Sequence, residues 1–250
     1  MHSQLFNRAG LYRLISALAA DPGDFATVYA APSDFPDFVL KLSLEPEHSA
    51  WAKGIRSAVE VDTVMNAVRR YQTGVAVYWS EIGNRYIVLP PFPIPRSQVS
   101  VGRPDTSVLS QVLERRYVIG VVLVAWGSYA LGAFDGESLV AWKTGTGLIH
   151  KQHRKGGRSE KRFARRTEEQ KKDFLRRVAN RIEESFGDFE LEHIFFGGNK
   201  LIVKPLIREC RYLQSQAYKI SPRVLEVRRA DREALSDSLS QITRSLVFTF

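Results

Sequence analysis

This chain has almost no cysteine: Cys210 is the one thiol among its 250 residues. That excludes an intrachain disulfide and any thiolate-rich zinc site, and it points to a reducing compartment, the cytoplasm. Long apolar runs are missing too. The longest, Tyr117 to Trp126, is strand-sized and well short of the roughly 18–20 residues of a membrane span, so no membrane partner is expected. The first residues, Met1 to Arg8, lack the charged-then-apolar order of a signal peptide. Most of the chain also lacks net charge. The total is +9, yet residues 143–181 hold fourteen Lys/Arg against four Asp/Glu, a surplus of +10, which leaves −1 for everything else.

What is present reads as globular: 44% hydrophobic and 25% charged, in a length that accommodates one large domain or two ordinary ones. Leu11, Leu14, Ile15 and Leu18 recur at helical spacing, stopped by Asp21-Pro22-Gly23-Asp24. Phe25 to Ala30 and Phe38 to Leu42 read as short strands. Trp51, Ile55, Val59, Met65 and Val68 mark a helical stretch to about Tyr71. Val75 to Trp79 and Arg85 to Leu89 form a hairpin around Glu81-Ile82-Gly83-Asn84. From Pro90 to Pro104 the composition is that of a linker, rich in a residue that removes a backbone donor. The boundary is therefore set near 105, giving an N-terminal α+β domain (1–104) and a second domain (105–250).

The second half opens with a three-strand meander: Tyr117 to Trp126, Ser128 to Phe134 and Glu137 to Lys143, with Asp135-Gly136 as a turn. No apolar periodicity follows between Thr144 and Phe163. A long helix is predicted from Thr167, where Thr167 and Gln170 fit a capping box, with Phe174, Val178, Ile182 and Phe186 as its buried stripe. Leu191 to Phe196 is a further strand, left through Gly197-Gly198-Asn199. Pro205 suits the first turn of a helix to about Tyr218, Val224 to Val227 an edge strand, and Leu235, Leu239, Ile242 and Leu246 a last helix. The fold class is α/β (α+β), a mixed sheet covered by helices.

The chemistry concentrates in the basic segment. Self-repulsion on that scale persists where something anionic compensates it, and a pI near 9.7 suits a nucleic acid. Gly156-Gly157 sits at its centre, where bare backbone can enter a narrow site that a side chain would block. The competing readings are a solvated loop and a membrane-surface helix, but residues 144–163 lack the continuous apolar face the latter needs. His150 and His153 have no third ligand of the right type nearby, which argues against a metal pair. Asp135 and Glu137 read as a polar hairpin turn before they read as a carboxylate pair. Cys210 reads as core, and Trp126 and Trp142 as buried borders of the meander.

The meander, then Gly147-Leu148-Ile149-His150-Lys151-Gln152-His153-Arg154-Lys155-Gly156-Gly157-Arg158-Ser159-Glu160-Lys161-Arg162-Phe163, then the long helix, resembles the middle domain of the eukaryotic and archaeal class-one peptide chain release factors. The likeness is to their Vms-like branch and its bacterial relatives, from about Leu113 onward. It implies a ribonuclease-H-like sheet domain that enters the peptidyl-transferase centre of the large ribosomal subunit and hydrolyses peptidyl-tRNA on stalled subunits, with no metal or organic cofactor. Gly156, Gly157, Arg158 and Ser159 then occupy the catalytic Gly-Gly-Gln-Ser motif. Lys151, His153, Arg154, Lys155, Lys161, Arg162, Arg165 and Arg166 would meet the phosphates of rRNA and tRNA.

One position departs from the family: Arg158 stands where the resemblance puts glutamine. A carboxamide both accepts and donates, whereas a guanidinium only donates. Chemistry resting on the backbone N–H of residue 158 survives this change; chemistry resting on a side-chain carbonyl does not. The sequence thus leaves open a peptidyl-tRNA hydrolase, a non-catalytic ribosome- or tRNA-binding factor, and a tRNA endonuclease using Arg158 and His153.

Overall fold

The computed structural model describes residues 1–147, 149 and 158–250, the side chains of 158–161 excepted. The chain forms two compact units, Met1–Arg115 with Ser240–Phe250, and Arg116–Leu239. This division differs from a cut at 105 because α5 (Ser107–Glu114) buries Val108, Leu109 and Leu113 in the first unit's core, and because the chain's last residues return to that unit.

In the first unit the six strands run β1 (His2–Phe6), β11 (Ser245–Thr249), β4 (Tyr86–Leu89), β3 (Val75–Ser80), β2 (Phe25–Ala30) and β5 (Gln98–Gly102) across one antiparallel sheet. Strand alternation sends Phe25 and Tyr29 to a face shared with α1 (Arg8–Ala20) and α5. It sends Ala26, Val28 and Ala30 to the opposite face, where α3 (Ser49–Val59) and α4 (Asp62–Tyr71) pack. Helices on both faces explain why β2 and β3 are buried at every position.

Several expectations are corrected here. Phe38 to Leu42 is no strand; Asp37–Leu40 is a short helix (α2), with Pro36 at φ −89°, ψ −11° leading in and Lys41 paired to Asp37 at 2.8 Å, one turn apart. The buried residues Val39 and Leu42 are three apart, a helical period. Residues 90–104 are no linker. Phe92 and Ile94 are buried, the Ile94 N–H donates to the Thr73 carbonyl, and β5 pairs with β2. Proline removes its own donor but not its neighbours' capacity to pair or pack. Leu246 continues the periodicity of the last helix, α9 (Arg232–Ile242), yet belongs to β11, which finds partners in β1 and β4.

The second unit is built on a mixed sheet, as its order of strands and helices predicts. Its order is β10 (Ile220–Leu225), β9 (His193–Gly198), β6 (Val118–Ala125), β7 (Ser128–Asp135), β8 (Ser138–Thr146). The meander β6-β7-β8 is antiparallel, and β9 and β10 are parallel to β6. On one face lie α6 (Arg158–Phe186), α7 (Lys200–Glu209) and α8 (Arg211–Ser215). Phe174, Val178, Ile182 and Phe186 are the buried stripe of α6, and their removal from water is the main force holding that helix down. Pro205 sits inside α7 rather than in its first turn; Asn199 is the N-cap, accepting from the Leu201 N–H at 3.0 Å. The helix ends at Glu209 instead of reaching Tyr218, and a separate short α8 follows.

Candidate nucleic-acid interface

The basic segment leaves the sheet where β8 ends, and the structure clamps that exit. The Gly147 N–H donates to the Gly127 carbonyl at 2.9 Å, tying the end of β8 to the β6-β7 turn, where Gly127 adopts φ +89°. Ile149, half-buried, packs on the core beneath α6. Trp126 meets Phe174 with ring centroids 6.1 Å apart, and the Lys171 ammonium lies 5.4 Å from the Trp126 ring centroid. These contacts fix both the strand that departs and the point where α6 returns.

The helix itself begins much earlier than its capping signals predict. It starts at Arg158, so Thr167 is an interior residue rather than a cap. From Arg158 to Phe174 it rises about 24 Å at about 1.5 Å per residue. Between Arg162 and Asp173 not one residue is buried. The first half of α6 is therefore a stem, standing on charge and helix propensity without a core beneath it. Glu169 accepts from Arg165 at 3.0 Å and Glu168 from Lys171 at 2.6 Å, pairs worth a few tenths of a kcal/mol, about 0.2–0.5 each.

The predicted site residues distribute along this stem. Lys151, His153, Arg154, Lys155, Gly156 and Gly157 lie outside the described residues, as does His150. Arg158 and Ser159 are the first two residues of α6, and Lys161 follows in the same turn. Arg162, Arg165 and Arg166 are exposed. Positions 158, 162 and 166 are four apart and share one side of the helix. The first N–H groups of a helix have no carbonyl four residues back to receive them, and the helix dipole makes that end positive. Cations in the first turns are disfavoured by about 0.3–1 kcal/mol each, so this end gains stability from an anion.

Away from the stem, Asp135 is bound by the Arg116 guanidinium, its Oδ2 at 2.7 Å, as a turn carboxylate. Among the described residues no group of three or more His, Cys, Asp or Glu converges on a metal position, and no helix is long and apolar enough to cross a membrane. Cys210 is buried, with its Sγ 3.8 Å from the Ala179 carbonyl, and burial pushes its thiol pKa up, which makes it unreactive. Trp142 contradicts its expected burial: it is 47% exposed, with the Arg232 guanidinium 4.5 Å from the ring centroid. Sequence reasoning missed Arg232, and it missed Lys171 as the contact that seats the stem on Trp126. No local pattern links residues that far apart.

A model of the family described as the Actinobacteria/chloroflexi VLRF1 release factor matches residues 116–247, more than half of the chain. Among solved structures, an archaeal translation termination factor, aRF1, is 15% identical over 95% of this chain and 70% of its own, with a TM-score of 0.42. A structure titled Vms1 mitochondrial localization core is 10% identical over 87% of this chain and 89% of its own, at 0.35. Pelota of Archaeoglobus fulgidus is 10% identical over 96% and 61%, at 0.34. These structural likenesses are weak, and the family match carries the assignment. No match was found among curated protein sequences.

Proposed function

We propose, from the premise that this chain belongs to the actinobacterial and chloroflexi VLRF1 release factor family, that it hydrolyses the ester between nascent peptide and tRNA on stalled large ribosomal subunits in the cytoplasm. The observation that carries the reading is the start of α6 at Arg158, directly after Gly156 and Gly157 in the chain. In the chain the two glycines immediately precede a stem that rises about 24 Å from Arg158 to Phe174 and carries the exposed cations Arg162, Arg165 and Arg166. A slender cationic rod with side-chain-free residues at its head suits a crowded site walled by phosphates.

The same helix start supports a role for the backbone at residue 158. Its N–H is among the donors that an α-helix leaves unused. A fixed donor at the positive end of a helix stabilises charge developing on an oxyanion or on a departing ribose hydroxyl, without reorganisation during the reaction. Water would be the nucleophile. The Arg158 side chain has no acceptor with which to orient that water, so the chemistry is assigned to the main chain and the ribosomal RNA environment, with Gly156, Gly157 and Ser159 shaping the tip. Lys151, His153, Arg154, Lys155 and Lys161 would add phosphate contacts.

Incubation with stalled large subunits carrying labelled peptidyl-tRNA tests the proposal. Free peptide with intact tRNA is the expected product. Peptide still bearing a tRNA 3′ fragment would establish an endonuclease instead. Subunit binding with no product would establish a non-catalytic binding factor.

A further inference from the structure

Trp142 belongs to β8, the outermost strand of the second unit's sheet, and pairs there with Gly132. Leu235 of α9, fully buried, packs over that glycine; a β-carbon on Gly132 would lie 3.1 Å from it. Arg232 is one helical turn before Leu235 on the same side of α9. The buried leucine thus anchors the helix that lays the Arg232 guanidinium over the indole at 4.5 Å. An indole left 47% exposed under an arginine is an aromatic surface already ordered and only half covered. Arg228 and Arg229, both exposed, come just before Arg232 in the chain. The Trp142–Arg232 pair is separate from the stem: Leu131 and Tyr129 face the α6 core, whereas Gly132, the partner of Trp142, faces Leu235.

We infer that the Trp142–Arg232 pair is a stacking platform for an unpaired nucleobase of RNA, with Arg228 and Arg229 taking the flanking phosphates. An aromatic ring or a guanidinium plane stacks any base, and Arg228 and Arg229 would add phosphate affinity that does not depend on sequence. A protein strand added to the open edge of β8 is the competing occupant. Two features oppose it: a register shift between the pairings of Ala133 and Phe134 disrupts the strand, and the exposed Lys143 guards it. An apolar protein surface would also have to strip water from the Arg232 guanidinium, a cost that a stacked base flanked by phosphate avoids. The inference rests on the release-factor reading only in taking RNA as the partner.

The test is fluorescence anisotropy of the full chain with a short labelled oligouridylate and, separately, with a blunt RNA duplex. Trp142→Ala should weaken binding to the single strand by about 5- to 150-fold, the range measured for loss of one stacked base, while Trp142→Phe retains most of it. Trp142→Ala should leave the salt dependence unchanged, whereas Arg228→Gln with Arg229→Gln should lower the log–log slope by about 0.7 per arginine. Duplex binding should be indifferent to Trp142. Wild-type affinity of Trp142→Ala for the single strand overturns the platform, and so does an equal loss on single strand and duplex. Loss of self-association in Trp142→Ala with RNA affinity intact assigns the surface to protein and overturns it as well. A Trp142 effect in a protein that releases no peptide would leave the platform standing and remove the hydrolase reading; peptide release without a Trp142 effect would do the reverse.

Discussion

Gly147 and Phe174 occupy each other's space: a β-carbon on Gly147 would lie 2.9 Å from the Phe174 ring and 3.3 Å from the Arg177 guanidinium. The last described residue of the continuous β8 exit thus touches the first buried residue of α6. Strand and helix are pressed together where the basic segment leaves the sheet.

Gly147→Val should therefore splay that base. The expected destabilisation is about 1–3 kcal/mol, as for overpacking in a close-packed core, read from the urea midpoint of the second unit. Peptide release should fall as well, although no charge has been removed. Wild-type stability in this variant would show that the contact yields freely.

Gly198→Ala probes the parallel strands at the same end of the sheet, where Gly198 pairs with Val124. Gly198 adopts φ +94°, and an added β-carbon would meet the Val124 carbonyl. Strain and clash combine, so the loss should exceed that of Gly83→Ala, where φ is +104° but nothing lies within 4 Å. Each strained φ costs about 1–3 kcal/mol by itself. Denaturant titration of the pair separates the clash from the strain.

Gly157→Ala should abolish peptide release while leaving subunit binding nearly unchanged, because it alters the tip and none of the stem's charge. Arg158→Gln should preserve or raise release, since the proposed donor is the main-chain N–H. A large loss in Arg158→Gln would show that the guanidinium has a chemical role of its own.

Salt should weaken subunit or tRNA binding steeply. Arg162→Gln and Arg166→Gln should each reduce the log–log salt slope by about 0.7–0.9, the value per neutralised phosphate. Arg165→Gln should weaken binding less, because the arginine must first leave Glu169, 3.0 Å away. Equal effects at all three positions would mean that this exposed ion pair costs nothing to open.

Alkali should destabilise the first unit. The Tyr29 and Tyr78 hydroxyls are 2.6 Å apart, and Tyr29 also donates to the Asp105 carbonyl at 2.6 Å. Burial raises the Tyr29 pKa from 10.0 to about 12, and it raises Tyr78 as well. The unfolded chain therefore loses these protons first. Stability is fully present below pH 10 and declines as pH climbs through about 12. Replacing both tyrosines with phenylalanine should flatten that decline in urea midpoints measured across the interval.

How much of this was legible depended on whether a residue's neighbours were local. Phe174, Val178, Ile182 and Phe186 announced the buried half of α6 because their spacing repeats on one helix. The stretch from Arg162 to Asp173, with no buried residue, announced nothing, because hydrophobic periodicity reports burial. The Thr167 capping signal consequently falls inside a helix already under way. Trp142 looked like core because indoles usually are, and its exposure follows from β8 being the last strand.

By itself the sequence determined the concentration of charge in residues 143–181, the meander, the apolar stripe and the glycine pair, since each is written in adjacent residues or in a short period. Tertiary structure alone decided that β5 and β11 join the first sheet and that Arg232 meets Trp142. Those outcomes depend on pairing and packing between segments far apart in the chain, whose energies no local window contains.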